Sequence, residues 1–213
     1  MPVSPEDMKK LYGGIVFNLN QPKSLQRKIF FDVMLYVCRR GRENLRQLKK
    51  TDFALKVNKD GEYVELTKNR RENREEAEEG GFILTTGTDH CPVKSFKLYM
   101  SFLNPACDSF FQHPKASVSD DYSGPWYDAQ GLGINTLGSM MKNISLDAEL
   151  SHVYTNHCIR TTSVTILNQS GFEARHIMSI SGHRSESSKQ SYSRTSSDTK
   201  RNMSNDLSKF CDS

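Results

Sequence analysis

The apolar residues of this chain switch from a helical period to an alternating one and back, and that switch limits how the chain can fold. Ile29, Phe30, Val33, Met34 and Val37 recur at helical spacing, so the stretch LQRKIFFDVMLYVCRR is expected to be a buried helix with Ser24 as its cap. A second helix, RENLRQLKKTDF, is expected to restart after Gly41 with Leu45 and Leu48 facing inward. From Phe53 the pattern alternates. FALKVNKDGEYVEL turns around Asp60-Gly61, two residues that tolerate positive φ, so a β-hairpin is expected there. FILTT at 82 to 86 reads as a third strand, after which helical spacing returns.

Local signals mark the other elements. Ser4-Pro5-Glu6-Asp7 has a hydroxyl cap followed by proline at the first helical position, and Gly13-Gly14 ends that short helix. VKSFKLYMSFLNP is helical until Pro105, and residues 104 to 135 read as a long connection anchored by Phe110, Phe111, Trp126 and Tyr127. Asn135 or Thr136 is expected to cap one helix through INTLGSMMKNISLDAEL. HCIRTTSVTILNQSG then forms a helix ending at Gly171, EARHIMSISG a second ending at Gly182, and a third starts at Ser185. Met203, Leu207 and Phe210 share one helix face in the tail, which is expected to dock in cis or on another protomer.

Composition excludes some classes. No window is long or apolar enough to span a bilayer, so no membrane partner is expected. MPVSPEDMKK has no apolar core behind a basic start and is not a secretory signal. The five cysteines are odd in number and scattered, which points to reduced thiols in a cytosolic or nuclear compartment. His90, Cys91, Cys107 and His113 do not have structural-zinc spacing, and no metal site is expected. The net charge of +4 permits a nucleic-acid partner, and the basic residues cluster around Arg39 to Lys50, Lys68 to Arg74 and Arg184 to Arg194.

The stretch from His157 to Tyr192 carries the chemistry. It holds His157-x-x-Arg160, then Gly182-His183, then Tyr192. Cleaving DNA without a metal needs a nucleophile in line with phosphorus, neutralisation of the non-bridging oxygens and a proton for the leaving 5′-oxygen. A tyrosine phenol can supply the first, arginine forks the second, and histidine and lysine the third.

In that order these residues resemble the tyrosine recombinases, the family of phage integrases, Xer and Cre proteins. RRGRENLRQL, CPVKSFKLYMSFLNP, GINTLGSMMKNIS and YTNHCIRTTSVTIL…GHRS are similar to the Crypton group of eukaryotic DNA transposons and to the domains derived from them in zinc-finger MYM-type and related vertebrate proteins. The resemblance runs from about Ser24 to Arg194 and implies a mainly α (α+β) recombinase core, a helical bundle with a small antiparallel sheet. A catalytic domain is expected over residues 1–196, with a tail over 197–213 that forms a docking helix.

By that resemblance Tyr192 is the nucleophile, Arg40 and Arg160 clamp the phosphate, and Lys68 is the general acid. His157 is the base or orienting partner, and His183 donates to the phosphate. Arg40 with Glu43 repeats the family's Arg-x-x-Glu spacing, with Arg42 the alternative, while Lys59, Arg70 or Arg71 could take the place of Lys68. Arg42, Arg70, Arg71, Arg184 and Lys189 are expected to bind DNA. The resemblance further implies double-stranded DNA as partner, no metal or nucleotide cofactor, a nuclear location, and a homo-oligomer on DNA through the tail. Family members clamp DNA with a further helical domain for which a chain of this length is expected to have no room. DNA affinity is then expected to be weak and salt-dependent, and a catalytically silent binding module is the alternative reading.

Overall fold

A computed structural model describes residues 1–37, 45–67, 81–119, 121–181 and 197–212. Helix α1 spans Pro5–Gly13, and the Ser4 hydroxyl caps it by accepting from the Asp7 N–H at 3.1 Å. Helix α2 spans Pro22–Tyr36 and is buried on every side from Leu25 onward. It starts two residues before the expected Ser24 cap, because Pro22 at the first position already has the helical φ and no N–H to satisfy.

A helix buried all round must pair its polar groups. Lys28 and Asp32, each 2% exposed, form an ion pair at 2.6 Å, and the Tyr12 hydroxyl donates to the same carboxylate at 2.8 Å. Arg27 pairs with Asp147, and the Gln26 amide donates to the Gln112 carbonyl at 2.6 Å.

The expected helix over 42 to 53 is corrected within the described residues. Leu45–Gln47 and Lys50–Asp52 are single 3-10 turns, although Leu45 and Leu48 do face inward. The backbone here bonds sideways instead of along a helix: Lys50 N–H reaches Asp108 O at 3.0 Å, and Phe110 N–H reaches Leu48 O at 2.8 Å.

Strands β1 (Phe53–Asn58), β2 (Gly61–Leu66) and β3 (Phe82–Leu84) form one antiparallel sheet in that order. The turn lies one residue earlier than expected, at Lys59 and Asp60, since Asn58 pairs with Gly61. Gly61 alone takes positive φ, at 120°, and Asp60 does not. Helix α3 (Pro92–Phe102) packs on the sheet through Phe96 against Phe53.

The span expected to be an irregular connection contains a two-stranded ribbon, β4 (Gln112–Pro114) with β5 (Tyr127–Gly131). Neither strand alternates in polarity, so periodicity could not reveal them. They are held by neighbouring aromatics instead: Phe110, Phe111 and Tyr127 are buried, and Trp126 stacks on Phe102 at 3.8 Å.

The helix expected over INTLGSMMKNISLDAEL is two: α4 (Ile134–Gly138), capped by Gly133 rather than Asn135 or Thr136, and α5 (Met140–Asp147). They break at Ser139, whose hydroxyl donates back to Asn135 O at 2.8 Å. Helix α6 (Asn156–Gln169) is followed by Gly171 at φ 83°, as expected of a C-terminal cap, and α7 covers Ala174–Ser181.

Helix α8 (Ser197–Asp212) docks in cis. Met203, Leu207 and Cys211 are buried, Phe210 packs at the edge of the face, and Ser204 Oγ donates to Phe82 O at 2.5 Å. The apolar face expected to serve an oligomer is therefore covered by the chain's own core while α8 is docked. Among the described residues no helix is long and apolar enough to cross a membrane.

Asp7 ties α1 to the loop before α6. It accepts from Ser151 N–H at 3.0 Å, Ser151 Oγ at 2.5 Å and Tyr154 OH at 2.8 Å. Burial by itself would raise its pKa, but these donors more than offset that and hold the carboxyl below its ordinary value of 3.8. A depressed folded pKa stabilises above the unfolded value and loses that contribution as pH falls through the folded one. Asp7→Asn should therefore cost about 1–3 kcal/mol at neutral pH. In urea unfolding curves the gap to the parent should narrow once the pH drops below about 3.8.

Candidate functional site

Helix α6 carries the two expected site residues that fall within the described chain. Its start is pinned by Asn156, which accepts from Met141 N–H at 3.0 Å and donates to Leu137 O at 2.8 Å. His157 follows in the first turn and is exposed. Arg160, three residues on, is 5% exposed, and its Nη2 donates to the Ser181 carbonyl at 2.6 Å. That carbonyl belongs to the last residue of α7, where helix geometry leaves C=O groups without helical partners and a cation is favoured. One turn further, Ser163 Oγ donates to Leu35 O at 2.6 Å, which fixes α6 against the end of α2.

Tight packing brings further chain ends to this place. A Cβ on Gly81 would overlap the Tyr36 carbonyl oxygen and lie 3.4 Å from the Ile180 side chain. Only a glycine lets the backbone before β3 approach the ends of α2 and α7 this closely. Since Glu65 pairs with Phe82, Thr67 lies at the same end of the sheet as Gly81. The chain thus enters 38–44 after Val37, leaves 68–80 at Gly81 and enters 182–196 after Ser181 on the side of the fold where Arg160 lies, whereas α8 resumes at Ser197 beside the hairpin turn.

Arg40 and Arg42 lie in the first of those segments, Lys68, Arg70 and Arg71 in the second, and His183, Arg184, Lys189 and Tyr192 in the third. All nine lie outside the described residues. Lys59, the alternative to Lys68, is described and lies apart from Arg160. It sits in the hairpin turn at the opposite end of a six-residue strand, about 20 Å away at strand rise.

Four of the described tyrosines are unsuited to act as nucleophiles. Burial raises the phenols of Tyr12, Tyr36, Tyr99 and Tyr127, and Asp32 raises Tyr12 further. Each is spent on an internal hydrogen bond: Tyr12 to Asp32, Tyr36 with Ser208, Tyr99 to Phe110 O and Tyr127 to Pro22 O. Burial likewise pushes the Cys211 thiol up to about 12.

Sequence reasoning missed Asn156, Ser163, Ser181 and Gly81 as supports of this region. The Gly80-Gly81 pair directly before a strand was the available signal for close backbone approach.

The fold is recombinase-like. The chain is similar to the crystal structure of XerA recombinase with a TM-score of 0.54 and 17% identity, over 95% of this chain and 63% of that one, so it spans less than two thirds of that structure's length. The chain belongs to the family described as Domain of unknown function (DUF3504), whose model matches residues 13–146 and ends before His157. No curated protein matches it.

Gly81→Ala should destabilise the protein by about 1–3 kcal/mol, because backbone has to move to admit the methyl group. Gly13→Ala is the control: nothing lies within 4 Å of its Cβ position, so it should be neutral or stabilising. Denaturant midpoints of the two variants measure the difference.

Proposed function

We propose that this chain is a DNA strand-transfer domain that cleaves and rejoins double-stranded DNA through a 3′-phosphotyrosine intermediate. The observation that carries the reading is Arg160, buried on α6 one turn from His157 and anchored to a carbonyl two residues before His183. The recombinase-like fold over 95% of the chain supports it.

In this reading the Tyr192 oxygen attacks phosphorus, a P–O bond to Tyr192 forms, and the P–O5′ bond breaks. The leaving 5′-oxygen takes a proton from Lys68. Arg40, with Arg42 as the alternative, and Arg160 neutralise the non-bridging oxygens. His183 donates to the same phosphate, and His157 orients or accepts the phenol proton. Rejoining is the reverse, with a 5′-hydroxyl attacking the phosphotyrosine. Arg42, Arg70, Arg71, Arg184 and Lys189 contribute contacts to the DNA backbone. The protonic groups supply every step, so the reading requires no metal or nucleotide cofactor. The motif wording places the chain with the Crypton-derived domains, for which a nuclear location follows.

Nicked suicide duplexes of randomised sequence should give a covalent protein–DNA adduct that is absent in Tyr192→Phe. His157 is exposed, so His157→Ala should fold normally and still form adduct about 10²–10⁴-fold more slowly. No adduct on any duplex, while the protein still retards DNA at low salt, would leave a binding module and sink the catalytic reading.

A further inference from the structure

Among the described residues β1 is an edge strand, paired with β2 alone. Thr67 N–H donates to Asp52 O at 2.8 Å across that ladder, so Asp52 and then Ala54, Lys56 and Asn58 turn their backbone groups towards β2. The alternation of an antiparallel ladder points the N–H and C=O groups of Leu55 and Val57 out of the sheet, together with the Phe53 C=O. Phe53 N–H is taken by Lys50 O, but nothing among the described residues bonds to the backbone of Leu55 or Val57.

The side chains on this edge match its backbone. Phe53, Leu55 and Val57 share one face of the strand. Phe53 is covered there by Phe96 and Phe110, whereas Leu55 is 45% and Val57 73% exposed. Natural edge strands are guarded by proline, by a bulge or by charge. Strand β1 has no proline and a regular register against β2, and its one lysine, Lys56, is on the other face and held by Glu65 at 2.5 Å. An unguarded apolar edge with free donors and acceptors is a template for a further strand.

The residues of β1 favour one such strand, which is β1 itself. An added antiparallel strand has to set its own outward residues opposite Leu55 and Val57. A second copy does so when Leu55 lies opposite its own counterpart, which puts Phe53 opposite Val57 and Ala54 opposite Lys56. No like charges then meet. Displacing the second copy by two residues towards the hairpin turn sets Lys56 against Lys56, which is destabilising. The same displacement the other way runs Val57 against Thr51, inside the 3-10 turn before the strand.

We propose that two copies of this chain associate through β1, antiparallel about Leu55, so that their sheets join in the order β3-β2-β1-β1-β2-β3. The contact uses the same patch on both copies, so it closes as a dimer and leaves neither β1 edge open. It is small against the ~1,200–2,000 Å² of stable complexes, and the dimer is a weak one, populated at about 100 µM and above. This inference stands independently of the strand-transfer reading. Sedimentation equilibrium of the full chain should show a monomer that becomes a dimer as concentration rises. Val57→Pro removes an outward N–H that the fold does not use, and Val57→Lys puts a charge on the apolar edge. Each change acts twice across the two-fold axis, so each should weaken the dimer about tenfold or more. Leu55→Cys should form an intermolecular disulfide under mild oxidation, above the parent's background, and Val57→Cys should not, because only Leu55 meets its own counterpart. The proposal is overturned if the parent stays monomeric, which would leave the edge bare or to a foreign strand. It is equally overturned if both Val57 variants dimerise like the parent, which would put the contact on another surface, or if the two cysteine variants crosslink alike.

Discussion

Helix α2 carries charged and amide groups into the centre of the protein, and its neighbours are placed by satisfying them. Asp32 takes the Lys28 ammonium and the Tyr12 hydroxyl, which sets α1 against α2. Gln26 reaches the ribbon at Gln112, and Arg27 reaches Asp147 at the end of α5. Breaking one partner of such a buried pair leaves an uncompensated charge, so the contacts specify which elements meet even where their net contribution to stability is small. The end of α2 is held in the same way, by Ser163 from α6 and Ser208 from α8.

The candidate site inherits its geometry from that arrangement. Ser163 anchors α6 to α2, and Arg160 on the same helix fastens the end of α7. Gly81 lets the backbone before β3 close on both. Helix α8 completes the far side of the sheet: Ser204 bonds to β3, and Arg201 bonds to the hairpin turn. The molecule therefore has two distinct polar regions at opposite ends of one small sheet. One is built on α6 and the other on α8.

Much of the helical framework was legible from local signals, because caps, prolines and long apolar stripes act within a few residues. Ser4-Pro5 opens α1, and Gly171 closes α6 with the positive φ that glycine tolerates. The two largest misreadings share one cause, which is that distant partners redirected the backbone. Leu45 and Leu48 have helical spacing, but the chain there pairs with 108–110 and stays in 3-10 turns. The strands of the ribbon have no alternation, and they exist because Phe110, Phe111 and Tyr127 are anchored in the core. In the site, His157 and Arg160 were legible as a pair, whereas the carbonyl that holds Arg160 could not be read from a motif.

The sequence by itself determined a helical chain interrupted by one hairpin, and a His-Arg pair on one helix face. Those features depend on periodicity and on backbone stereochemistry, which are local. Only the tertiary structure decided that Arg160 faces Ser181, that Lys59 lies at the wrong end of the sheet to join it, and that the tail folds back on its own core. Those outcomes depend on which buried polar groups find partners, and such partners are up to 172 residues apart, as between Tyr36 and Ser208.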